Sequence, residues 1–185
     1  DVASNSANLA DTQGFGRAEY AYYLMAKAAG IDMTECRLRE EGGRAHFMTQ
    51  RFDRTSDGDK LHVQTLCAMA HASYKVPGGY SYEEAFDVLR KLKVPRADAE
   101  QLYRRMVFNV VARNQDDHVK NIAMLMGQDG KWRITPAYDV AWAYREDSPW
   151  VNSHQMTLAG KRDGFLRSDL LQVGRKIANF DAEKV

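Results

Sequence analysis

The stretch that most limits how this chain can fold is residues 114–121, where Asn114, Asp116, Asp117, His118, Lys120 and Asn121 crowd into eight positions directly after an apolar run. Carboxylates and an imidazole held that close repel one another or need partners, and a loop that only joins two elements does not require them. Upstream, Leu102, Met106, Val107, Val110 and Val111 recur at helical spacing between Ala97 and about Ala112, the apolar stripe of a helix at the centre of a domain. Downstream, Ile122–Met126, Gly127-Gln128-Asp129-Gly130 and Trp132–Thr135 read as strand, tight turn, strand. That hairpin returns the chain to where it began and delivers Pro136-Ala137-Tyr138-Asp139, so Asp139 can lie beside Asn121 across eighteen positions. A carboxylate and an amide oxygen brought together this way form a hard, all-oxygen site suited to Mg²⁺.

Composition excludes several alternatives. The 185 residues carry 26 Lys+Arg against 25 Asp+Glu, a net charge of +1, with 44% hydrophobic and 28% charged residues. This is ordinary globular composition, and near-zero charge argues against a protein devoted to neutralising nucleic-acid phosphates. No run approaches the ~18 apolar residues of a membrane span, and residues 1–14 lack the basic start and apolar middle of a signal peptide. Cys36 and Cys67 have neither metal nor redox spacing and fit a reducing, cytoplasmic setting, although a single bridge between them is left open. The first residue is not Met and Lys184-Val185 follows directly on a helical pattern, so the chain reads as an excised piece.

Elsewhere the periodicity predicts a helix over Phe15–Ala29 stopped by Gly30, after a small, polar loop at 1–14. Cys36–Leu38 and Arg44–Phe52 flank a turn at Glu40–Gly43 and predict a hairpin; Asp53–Lys60 is a polar loop. From Leu61 to Ala112 the pattern reads as helical throughout, broken at Pro77-Gly78-Gly79 and Pro95, with Ser81 and Glu84 spaced as a capping box. Read on their own terms, Trp132, Trp142 and Trp150 are packing residues, Arg104-Arg105 and Lys161-Arg162 lie on a wet face, and Asp117 is a solvated neighbour or a cap. His62, His71 and His154 lack ligand spacing, and Asp57 and Asp59 are turn residues. Tyr20, Tyr22 and Tyr23 divide between the core and surface of one helix.

An Asp, an Asn five residues later, a hairpin and a second Asp is also the layout of a protein-kinase catalytic loop and its metal-binding Asp. Asp116, Asn121 and Asp139 stand at those places, with His118 where protein kinases often place a phosphate-steering Lys, and Lys120 two positions on. The whole stretch resembles the HipA-type serine/threonine kinases, the toxin half of bacterial toxin–antitoxin pairs. Their Asp-x-His-x-Lys-Asn loop and Pro-x-Tyr-Asp segment match Asp116, His118, Lys120, Asn121, Pro136, Tyr138 and Asp139. Glu19-Tyr20 with Leu24, Ala26, Lys27, Ala28 and Gly30, and then Arg51-Phe52-Asp53-Arg54, look like earlier family segments in the same order.

The resemblance implies an α+β, protein-kinase-like fold with a mainly helical C-lobe and part of a small, β-containing N-lobe. Residues 1–54 would form the partial small lobe, and residues 55–185 the helical lobe with catalytic loop 114–121 and metal segment 136–140. It implies phosphoryl transfer from ATP with Mg²⁺ to a Ser/Thr hydroxyl of a protein. Asp116 would serve as base or orienting group, His118 and Lys120 would stand by the phosphates, Asn121 and Asp139 would bind the metal, and Gln50 and Phe52 would border the adenine. It further implies a HipB-like, DNA-binding antitoxin partner, operator DNA through that partner alone, targets such as an aminoacyl-tRNA synthetase, and no membrane. The family's phosphate loop and Lys-bearing strand are expected upstream of this chain; no Gly-x-x-x-x-Gly-Lys-[Ser/Thr] pattern occurs in the 185 residues. Glu19, which on a kinase helix would pair with that Lys, has no assigned role. Two alternatives stay open: a small-molecule kinase of the aminoglycoside or choline type, against which Asn114 stands where those have His, and a non-catalytic module that docks an antitoxin or nucleic acid.

Overall fold

The computed structural model describes residues 14–42, 44–177 and 180–185, so the loop expected at 1–14 lies, apart from Gly14, outside the described residues. Helix α1 (Phe15–Ala28) opens the fold and packs on an antiparallel hairpin of β1 (Cys36–Glu41) and β2 (Arg44–Thr49), with Cys36 opposite Thr49 and Glu41 opposite Arg44. The approach of helix to hairpin is close. A methyl group added at Gly16 would fall inside contact distance of the Ala45 carbonyl oxygen.

A second sheet, β3-β4-β5, joins β3 (His62–Thr65), β4 (Ala123–Met126) and β5 (Trp132–Ile134), all antiparallel. Here the structure corrects the helical reading of Leu61–Tyr74. Residues 62–65 are a strand, and the helix that follows, α2 (Leu66–Met69), is a single turn capped by the Thr65 hydroxyl. The strand forms because Val63 and Thr65 find their partners in Leu125 and Ala123, about sixty positions along the chain, which no local period could indicate.

The helices α3 (Tyr82–Lys91) and α4 (Arg96–Val111) follow their sequence signals. Ser81 accepts from the Glu84 amide while the Glu84 carboxylate accepts from the Ser81 amide, the reciprocal cap that the spacing predicted. Helix α5 (Arg167–Gly174) and a short 3₁₀ turn (Ala182–Lys184) complete the described elements. No helix among the described residues is long and apolar enough to cross a membrane, and both cysteines are free thiols.

Two apolar clusters hold the chain together. The larger joins α3 and α4 (Tyr82, Phe86, Leu89, Leu102, Met106) to Leu66, Val119, Ile122, Met124, Met156 and Val173. The smaller joins α1 (Tyr22, Ala26) and Ile31 and Met33 to Phe108 of α4 and Ala137. Segment 113–122, with Val119 and Ile122 in the first cluster, and segment 136–143, with Ala137 in the second, meet at the seam between them.

Candidate functional site

Loop 113–122 is irregular backbone pinned at many points, which gives its polar side chains defined directions. The Asn114 amide donates to the Asn109 carbonyl at the end of α4, the Cys67 amide to the Val119 carbonyl, and the Leu66 amide to the Ile122 carbonyl. Its partner segment is fixed on both sides. Ala137 donates to the Asp32 carbonyl at 2.7 Å and Ala143 to the Arg113 carbonyl at 3.2 Å, while Gln115 donates to the Ala143 carbonyl. Asp139 lies between these two anchors with φ 56°, a left-handed conformation that Asp tolerates better than most residues.

Asn121 and Asp139 line one small cavity, together with Asn114, Asp117, Tyr138 and Arg105, while Asp116 is not among its lining residues. The Asn121 amide nitrogen donates to the Asp116 backbone carbonyl at 2.9 Å, which leaves its side-chain oxygen as the end free for another partner. Asp116 keeps 47% of its side-chain surface exposed. Burial raises its pKa; His118 opposes the rise, and the charges of Asp139 and Asp117 add to it. Glu19 of α1 belongs to the same electrostatic neighbourhood, its pKa raised by burial and then by Asp139. This donor set suits a hard divalent cation: a freed amide oxygen, a carboxylate, and surrounding acids whose mutual repulsion a cation would relieve. Mg²⁺ is commonly held by one or two carboxylates plus phosphates and water, so the lack among the described residues of a cluster of three His, Cys, Asp or Glu does not conflict with it.

His118 Nε2 lies 3.9 Å from Asp116 Oδ1, beyond hydrogen-bond range, and its Nδ1 is buried without a partner. Lys120 turns its ammonium over the ring of Tyr74, 4.2 Å from the centroid, and the same ring meets His118 edge-on at 5.9 Å. The Lys120 carbonyl accepts from the Tyr138 hydroxyl, whose pKa burial and the neighbouring Asp139 push up to about 12. Phe52 packs on Tyr138 with ring centroids 5.5 Å apart, beside Asp139, whereas Gln50 is exposed and held by its backbone amide on the Glu35 carbonyl. Neither Gln50 nor Phe52 lines the cavity shared by Asn121 and Asp139.

Three readings from sequence are corrected. Asp117 is not solvated: its side chain is 1% exposed and its carboxylate accepts from Tyr82, His154 and the Gln155 amide. Arg105 is not on a wet face but 6% exposed, donating to the Thr135 carbonyl at 2.5 Å with Nε and Nη1 unpartnered; burial brings its pKa down to about 10. Trp142 and Trp150 are each 53% exposed, so of the three tryptophans only Trp132 packs against the main cluster. For Asp117 the sequence held no signal, since its partners Tyr82, His154 and Gln155 lie 35 to 38 positions away. For His154 and Arg105 there was none, because their partners are distant in sequence.

The family model described as the HipA-like C-terminal domain matches residues 3–184. Among curated proteins, "Putative kinase Y4mE" of Sinorhizobium fredii is 29% identical over 136 residues, 68% of this chain and 32% of that protein. "Putative kinase Y4dM" of the same organism is 27% identical over 136 residues, 66% of this chain and 32% of that protein. The match thus spans about a third of the length of these relatives. Among solved structures, the complex of Shewanella oneidensis MR-1 HipA, HipB and its operator DNA matches with TM-score 0.71 and 20% identity, over 91% of this chain and 47% of that one. The Helicobacter pylori proinflammatory kinase CtkA matches with TM-score 0.59 and 12% identity, over 90% of this chain and 71% of that one. At such identities the structural likeness speaks for the fold, a mixed helix-and-strand architecture shared with a toxin–antitoxin protein and with a kinase, while the family match runs almost end to end: the chain belongs to the HipA-like C-terminal domain family.

Proposed function

We propose that the protein carrying this chain is a kinase toxin of a toxin–antitoxin pair, which transfers a phosphoryl group from Mg-ATP to a Ser or Thr hydroxyl of a protein substrate in the cytoplasm. The observation that carries the reading is the meeting of Asn121 and Asp139 in one cavity, with the Asn121 amide nitrogen engaged by the backbone of Asp116. In this reading residues 55–185 form the helical lobe and residues 1–54 part of the smaller one. Asp116 faces the acceptor hydroxyl, accepts its hydrogen bond and takes its proton as the oxygen attacks. Its raised pKa favours that task, since a carboxylate that holds its proton more tightly is the better base. Asn121 Oδ1 and the Asp139 carboxylate would hold Mg²⁺, which with ATP would supply charge neutralisation at the phosphate oxygens. His118, 3.9 Å from Asp116, and Lys120, its ammonium over Tyr74, would stabilise negative charge that develops on the transferring phosphoryl group, and Phe52 borders the adenine from its seat on Tyr138.

A HipB-like antitoxin is the proposed partner, with operator DNA reached through it, because the HipA structure with the same fold was solved with HipB and DNA. An aminoacyl-tRNA synthetase is a proposed target on family resemblance alone. The decisive experiment is Asp116→Ala and Asp139→Ala in the protein that carries this chain, with transfer from γ-labelled ATP and antitoxin binding both measured. Each substitution is expected to lower transfer by about 10³-fold or more while antitoxin binding stays within about threefold. Unchanged transfer would reject the kinase reading.

A further inference from the structure

We propose that Asp117 is a positioning residue: its buried carboxylate, clamped by Tyr82, His154 and the Gln155 amide, fixes the backbone that aims the neighbouring Asp116 at the acceptor hydroxyl. This rests on the phosphoryl-transfer reading above. The ground for it is the clamp itself. Tyr82 donates its hydroxyl at 2.8 Å, His154 its Nδ1 at 2.9 Å and Gln155 its backbone amide at 2.8 Å, so one side chain ties the first turn of α3 and the 154–155 segment to the loop. His154 is itself held on both sides, its amide donating to the Arg162 carbonyl and its carbonyl accepting from Arg162 Nε, with its ring edge-on to Phe165 at 5.2 Å.

The network then runs back to the start of the loop. Asn109 Nδ2 donates to the Tyr82 hydroxyl and Asn114 Nδ2 to Asn109 Oδ1, each at 3.0 Å, so residues 114 and 117 are fastened to the same buried chain of hydrogen bonds. Along this irregular backbone burial alternates: Gln115, Asp117 and Val119 are buried, while Asp116 and His118 are more open. Driving Asp117 inward therefore turns Asp116 outward. An apolar residue would fill the space at 117 with less loss of hydration, but it would accept many orientations; a carboxylate with three fixed donors accepts one. A proton acceptor is sensitive to such a restriction, since a displacement of about 1 Å costs on the order of 10²-fold in rate.

The test is Asp117→Asn in the protein that carries this chain, measured beside wild type and Asp116→Ala by steady-state phosphoryl transfer, Mg-ATP dependence and thermal unfolding. Asn keeps the shape but sets an amide NH₂ against hydroxyl and N–H donors. Expected are a kcat reduced about 10- to 100-fold, a KM for Mg-ATP within about threefold, and no further loss when Asp117→Asn is added to Asp116→Ala, because the first acts only through the second. A folded Asp117→Asn protein with kcat within about twofold of wild type, or an undiminished additional loss in the Asp116→Ala background, overturns the assignment. Should Asp117→Asn fail to fold, Tyr82→Phe removes one donor and keeps the ring: a kcat lowered about threefold or more at unchanged KM supports the clamp, and an unchanged kcat overturns it. A wild-type protein with no Asp116-dependent transfer would instead overturn the functional reading and this assignment with it, so the two failures are told apart.

Discussion

Asp116 and Asp117 are adjacent in sequence and opposite in environment, the first half-open to solvent beside Asn121 and the second sealed among three donors. The same contrast separates Arg104, near the Ala29 carbonyl and partly exposed, from Arg105, buried behind Tyr138. A third residue whose setting decides its behaviour is Asp53, which receives Arg51 and Arg54, each at 2.6 Å. The Arg51 hydrogen bond leads in holding its pKa down, to about 2. A carboxylate whose folded pKa is depressed contributes stability in full above its unfolded pKa near 3.8 and loses it as pH falls towards the folded value. Asp53→Asn is therefore expected to lower Tm by roughly 1–2 °C at pH 7, a modest effect because these side chains meet solvent. The gap to wild type should close between about pH 4 and pH 2, and thermal unfolding across that range checks it.

Among the elements, those legible in the sequence are the ones whose signals are local. α1, α3 and α4 have helical periodicity, α3 has its reciprocal cap, and the β4–β5 hairpin has a turn in which Gly130 takes φ +75°. The cap predicts its own measurement. Ser81→Ala removes the acceptor of the Glu84 amide and should destabilise the fold by about 1 kcal/mol, seen as a Tm lower by roughly 2–4 °C, whereas Ser81→Asp should restore most of it. β3 was not legible. His62–Thr65 is too short to show an unambiguous alternation, and it becomes a strand only because β4 offers its edge. The exposure of Trp142 and Trp150 was equally hidden, for aromatic type predicts burial on average and not at a given position.

For the molecule as a whole, the candidate site sits at the seam of two apolar clusters, and each of its two segments is rooted in a different one. Asp139 depends on both, through Ala137 on Asp32 and Ala143 on Arg113. The 185 residues contain no Gly-x-x-x-x-Gly-Lys-[Ser/Thr] pattern, so under the proposed kinase reading few of their groups would hold the phosphates. Residues 1–185 alone are therefore expected to show no measurable steady-state ATP-dependent autophosphorylation; sustained incorporation of label by this piece would refute that. What the sequence by itself determined is the set of groups and the route between them: an apolar helix, a polar loop, and a hairpin of the right length to carry Asp139 back to Asn121. Helix periods, caps and turns act over a few neighbouring residues, so they can be read where they stand. The tertiary structure alone decided that Asp117 turns inward and Arg105 is buried, because a side chain's solvation depends on what packs over it, and the partners of Asp117 arrive from 35 to 38 positions away.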